Sequence, residues 1–185
     1  MSFEAETEAQ RLSVEYEAER RASAVGRAPA ALARLAASVI DEDRFCALRD
    51  AAVASVNLGL FDQANALATE LIGRAHRYRN HWNYGNAVHG GHTVLGLCAL
   101  DTDDVAGAIA ELVRSGNTPG SPQLDTFGPS MQLACEVLLR GEFSPVLGYF
   151  EQCRKFWRMG NVWLDLWEAK VALGVIPNFV LHRYR

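Results

Sequence analysis

Apolar residues in this chain recur at intervals of three and four, and no stretch longer than four residues alternates with the strand period. At about 3.6 residues per turn that spacing lines one side of a helix, so the chain buries its apolar groups by stacking helices. From Asp41 the pattern is regular. Phe45, Leu48, Ala52 and Val56 share a face that stops at Gly59, where glycine accepts a left-handed helix cap most easily. Phe61, Ala64, Leu67, Leu71 and Ala75 share the next face, and so short a connection makes the two helices antiparallel neighbours. A second pair follows. Tyr84, Ala87, Val88, Gly91, Val94, Leu95 and Cys98 stripe its first helix, and Val105, Ile109, Leu112 and Val113 its second, which opens at "DTDD" and stops at Gly116. The third pair uses Met131, Ala134, Val137 and Leu138, then Phe143, Val146, Leu147, Phe150, Cys153 and Trp157.

On either side of these pairs the pattern thins. Ala5, Ala9, Leu12 and Tyr16 make a narrow stripe among glutamates and arginines, and Pro29 suits the first turn of a further helix running to about Ile40. This predicts an N-terminal helical arm over 1–40, three hairpins over 41–160, and a capping helix with tail over 161–185. The last helix begins near Asn161 and ends at Gly174. The tail residues Val175, Ile176, Phe179, Val180 and Leu181 are apolar enough to pack back onto the repeats or onto a second subunit, so a homodimer is one expectation.

The turns of the three hairpins superpose. "GLFDQA" at 59–64, "DDVAGA" at 103–108 and "GEFSPV" at 141–146 each carry a turn residue, a larger apolar residue two positions on, and a small or branched one three beyond that. The last of these, Ala64, Ala108 and Val146, stand 44 and 38 positions apart, in the range of helix-pair solenoids. In this pattern residues 41–158 resemble divergent bacterial tetratricopeptide-repeat-like helical proteins. The resemblance implies an all-α fold of antiparallel helical hairpins stacked as a short tetratricopeptide-like α-solenoid. The first helix of each pair, near 44–58, 82–100 and 128–140, would line a concave surface for a peptide or other elongated ligand.

Composition narrows the function classes. At 185 residues with 49% hydrophobic content the chain can form one well-buried core or one short repeat array. A formal charge of -4 argues against broad binding to nucleic acid or to an anionic membrane surface. No apolar run approaches the ~18 residues of a membrane span. "MSFEAETEAQ" carries acidic residues where a secretory signal needs basic and then apolar ones, so a cytoplasmic protein is expected. Cys46, Cys98, Cys135 and Cys153 are scattered without a CxxC pair, which favours reduced, buried thiols over disulfides or a cysteine zinc site. No nucleophile-elbow serine, phosphate-binding glycine loop or dinucleotide fingerprint occurs.

Reactive side chains concentrate in "RYRNHWNYGNAVHGGH", residues 77–92, which holds three histidines, three aromatics and two arginines on the predicted inner helix of the second pair. Trp82, Asn86, His89, Thr93 and Gly96 fall opposite the apolar stripe, with His92 beside them. At about 100° per residue, His89 and His92 stand about 60° apart, so their rings can converge on one small object. Several chemistries fit such a row. A divalent metal could use His89 and His92 with His81 or Asp125, although the glutamate of an H-E-x-x-H site is missing and Gly90 and Gly91 soften the helix. General acid–base catalysis could use the same histidines oriented by Asp125, from the proline- and glycine-rich connector "TPGSPQLDTFGP". Arg74, His76, Arg77, Tyr78, Arg79 and Trp82 alternate charge with rings that suit an anion, while Arg74 and Arg77 equally suit the negative end of a helix. "FCALRDAAVASV" offers only solvated charge, and Trp157, Trp163 and Trp167 read as core.

The balance of these readings is a binding module that holds a peptide or small organic ligand through Arg77, His81, Trp82, Asn86, His89, His92, Thr93 and Phe127, with no cofactor required. The alternative is a small enzyme, a tailoring cyclase, hydrolase or metal-dependent catalyst, working through His89, His92 and Asp125.

Overall fold

The computed structural model describes residues 3–184, with side chains described from Arg11 onward except Leu12. It is all-helical, with no strand among the described residues. In chain order the helices are α1 (Phe3–Ala36), α2 (Asp41–Asn57), α3 (Phe61–Ala75), α4 (Tyr84–Asp101), α5 (Val105–Gly116), α6 (Pro122–Phe127), α7 (Gln132–Leu139), α8 (Ser144–Arg154), α9 (Asn161–Ala172) and α10 (Val180–Arg183). Single 3-10 turns at His76–Tyr78 and Arg158–Gly160 lead out of α3 and into α9.

The helix ends follow from the residues expected to make them. Gly59 adopts φ 74°, which lets the Gly59 and Leu60 amides bond back to the Val56 and Ser55 carbonyls, each at 2.9 Å, and reverses the chain into α3. Asp104 caps α5, its carboxylate accepting the Gly107 amide at 2.8 Å. The N-terminal arm differs from expectation, because α1 runs unbroken through Pro29 rather than restarting there. Ala24, Ala28 and Leu35 bury on both sides of the proline against the rest of the molecule while its ring faces water, and that packing overrides the missing hydrogen bond. The Ala5, Ala9 and Leu12 positions of the expected stripe lie outside the described side chains.

Successive helices pack against each other, α2 on α3, α3 on α4, α4 on α5, then α5 on α8 and α8 on α9. The first helices of the pairs also touch in order, α2 on α4 and α4 on α7, and α1 covers α2. This leaves α4 near the centre, where it buries most of its surface, including Asn86, Ala87, His89, Gly90, Gly91, Thr93 and Val94, with the stripe Tyr84, Val88, His92, Leu95 and Ala99 half-buried. The tail closes the molecule. Phe179, His182 and Tyr184 are buried, α10 rests on α1 and α7, and the Met131 amide donates to the His182 carbonyl at 2.7 Å. Arg183 joins Glu17 of α1 to Glu136 of α7. Trp157 and Trp167 are core, whereas Trp163 is exposed, contrary to the reading of all three as core. Cys98, Cys135 and Cys153 are buried free thiols and Cys46 is half-buried. Among the described residues no helix is long and apolar enough to cross a membrane.

Candidate functional site

An open cavity of about 490 Å³ lies between α2 and α4 and is roofed by α6. Helical periodicity explains who lines it. On α2 Cys46 stands one turn from the neighbours Arg49 and Asp50, and along α4 and the turn before it Trp82 and Asn83 stand one turn from Asn86, which stands one turn from His89. Arg34 reaches in from the end of α1, and Gln123, Leu124, Phe127, Gly128 and Ser130 come from α6 and the segment after it.

The connector expected as a rigid loop contains a helix. Ser121 caps α6 by accepting the Leu124 amide at 3.0 Å, with Pro122 at its first position. The same hydroxyl donates to Asn86 Oδ1 at 2.5 Å, while Asn86 Nδ2 donates to Asn83 Oδ1 at 3.0 Å and to Gln123 Oε1 at 3.2 Å. Asn86 therefore staples α6 to α4 and has no polar atom to spare. Glycine makes the approach close enough, since a Cβ on Gly85 would fall 1.8 Å from the Gly120 carbonyl oxygen. Thr118 Oγ1 adds a bond to the Gly85 carbonyl at 2.8 Å.

His89 forms the inner wall. It is 2% exposed, and both ring nitrogens are engaged by the main chain. Nε2 accepts the Ser130 amide at 3.0 Å, which puts the proton on Nδ1, and Nδ1 donates to the Ser115 carbonyl at 3.3 Å. Burial first, then the nearby Arg49 and His92 charges, push its pKa down to about 4, against the pull of the Ser115 bond. The ring is neutral at physiological pH and has no lone pair left for a metal or a substrate proton.

Arg49 supplies the charge. Its stem crosses α4 at Gly90, where an added Cβ would meet the Arg49 Cγ at 2.8 Å, so the glycine is a seat for the arginine. Its Nη1 reaches Asp50 at 3.1 Å, and Arg34 stands 3.7 Å from the other Asp50 oxygen. At the rim, Trp82 is 55% and Phe127 61% exposed.

The expected site residues divide accordingly. The cavity brings together Trp82, Asn86, His89 and Phe127. Arg77 is 3.6 Å from Asp41, and His81 Nε2 donates to Glu42 at 3.1 Å while its Nδ1 accepts the Asn83 amide. Tyr78 stacks on Phe45 with ring centroids 4.3 Å apart, so the basic-aromatic run builds the α2–α3 corner. Thr93 is buried and bonds the His89 carbonyl at 2.8 Å.

Convergence of His89 and His92 does not occur. His92 Nδ1 pairs with Glu111 of α5 at 2.6 Å, away from the cavity, because α5 and α7 occupy the sides of α4 that were expected to face a hollow. Asp125 is held by Arg158 on the outer side of α6, and that guanidinium lowers its pKa. The catalytic set His89, His92 and Asp125 is thus not assembled, and neither is the His89–His92 metal pair. Among the described residues no three histidine, cysteine, aspartate or glutamate side chains come together to hold a metal.

Sequence reasoning missed Arg34, Cys46, Arg49, Asp50, Asn83, Gln123 and Ser130. The signal for two of them was present, since Arg49 and Asp50 interrupt the largely apolar run from Phe45 to Val56, and the Arg49 stem is the one that lies on Gly90. Compared with family models, curated proteins and solved structures, the chain matches none.

Proposed function

We propose that this chain is a binding module that holds a small organic molecule or the end of a peptide in the α2–α4–α6 cavity. The observation that carries the reading is the pairing of two large aromatic side chains, Trp82 and Phe127, left more than half exposed at the mouth of one cavity. Exposed rings grouped around a concavity are the usual lining of a ligand site. The wall behind them is rigid, because Asn86, Ser121 and His89 are tied to backbone and to one another before any ligand arrives. The order of helix contacts supports a short helical-repeat array of the tetratricopeptide type, with α2, α4 and α7 as the inner helices and α3, α5 and α8 as the outer ones. Against the enzyme alternative, both His89 ring nitrogens are engaged by the main chain, so neither is open to a substrate proton.

A crystallographic fragment soak tests this reading. Fragments should seat between Trp82 and Phe127, and Trp82→Ala should weaken them about tenfold while leaving the unfolding free energy within ~0.5 kcal/mol. A soak that populates other surfaces and leaves this cavity without a fragment sinks it.

A further inference from the structure

Resting on that groove reading, we propose that the ligand is a small aromatic monoacid, its carboxylate held by Arg49 and Arg34 and its flat ring laid against Trp82 and Phe127. The charges point to one anionic group. Among the residues lining the cavity, Arg34, Arg49 and Asp50 are the ionised ones, and they sum to one positive charge. His89 is neutral and burial raises the Cys46 thiol.

Half-buried Arg49 and exposed Arg34 are less fully paired than half-buried Arg44 and Arg154. Arg44 grips Glu70 with two bonds of 2.5 and 2.6 Å, and Arg154 engages Glu151, Asp165 and Glu168. Arg49 instead makes one bond of 3.1 Å, to the adjacent Asp50, and Arg34 approaches the same carboxylate no closer than 3.7 Å. A guanidinium has five N–H donors in a planar fork, so most of those facing the cavity remain for a bidentate carboxylate. Arg49 is also fixed beforehand, because its stem is seated over Gly90. Asn86 does not compete for this role, as its amide nitrogen donates to Asn83 and Gln123 and its oxygen accepts from Ser121, while the Asn83 and Gln123 amide nitrogens are neutral donors that can only add to the charged fork.

The net charge favours a carboxylate over a phosphate ester. A dianion would exceed the single positive charge and face Asp50, whereas a monoanion matches it. The cavity's volume of about 490 Å³ suits a fused-ring acid of drug-like size.

Calorimetric titration of the intact chain with four probes tests the proposal: naphthylacetate, naphthylacetamide, cyclohexylacetate and naphthyl phosphate. Naphthylacetate is expected to bind roughly tenfold tighter than each of the other three. Arg49→Met, which keeps the stem over Gly90, should bring the acid down to the amide. Arg34→Gln, at an exposed position that folding does not depend on, should narrow the same gap severalfold. Equal affinity for acid and amide overturns the monoacid and leaves the groove reading standing. Tighter binding of the phosphate, or a gap that survives both substitutions, also overturns it. No binding of any probe overturns it too, and the groove reading itself falls only with the fragment soak above.

Discussion

His89 is polar and interior at once, and its two main-chain bonds are what permit that. The ring ties α4 to the end of α5 and to the segment before α7, so it acts as a structural pin of the cavity wall. Its depressed pKa has a definite sign in stability. The unfolded histidine takes up a proton near pH ~6.5 and the folded one only near about 4, so between those values the unfolded chain binds more protons. Stability is therefore complete above pH ~6.5 and falls as the pH drops toward 4, by up to about 3 kcal/mol. Urea midpoints from pH 7 to 4.5 should show this fall, and His89→Gln should flatten it while lowering the pH 7 midpoint. A His89→Gln profile parallel to wild type contradicts the assignment. The sequence placed His89 on the correct side of its helix. What it lacked was any sign that Ser115 and Ser130 wait there, because both partners are backbone groups set by distant segments.

At the scale of the element, the site depends on α6 docking against the first turn of α4. Gly85 is the tolerance of that contact. Gly85→Ala forces a methyl into the Gly120 carbonyl and should cost more than about 2 kcal/mol. Gly73→Ala, on the outer helix α3 with nothing within 4 Å, should stabilise by roughly 0.5–1 kcal/mol. Denaturation of the two variants side by side checks the contrast, and equal effects would show that the α4–α6 approach is looser than drawn. Helix identities and most turns were readable from spacing and from glycines such as Gly59, since those are local backbone matters. Three elements were not, and one of them is α10, since 175–185 read only as an apolar tail. α1 continues through Pro29 because burial against α2 outweighs the proline, and α6 forms because Ser121 is held by Asn86 as well as by its own helix.

For the molecule as a whole, the tail decides how the two ends of the chain meet. Phe179 packs edge-on to Trp167 at 4.9 Å and to Phe150 at 6.3 Å, which anchors α10 where Arg183 can bridge α1 and α7. Phe179→Ala should cost about 3 kcal/mol and speed amide exchange in α1 more than in α4. Uniform acceleration across both helices would instead mean that the tail stabilises the fold without clamping α1 in particular. Periodicity of the apolar residues determined by itself that this chain is all-helical and where most of its helices turn, because a helix and its caps are written within a few residues. Which faces of α4 are covered, and hence that Arg49 rather than His92 shares the cavity with Trp82 and His89, was decided only by tertiary packing. A residue's angle on its own helix fixes the direction it points, while its neighbour in that direction comes from another part of the chain.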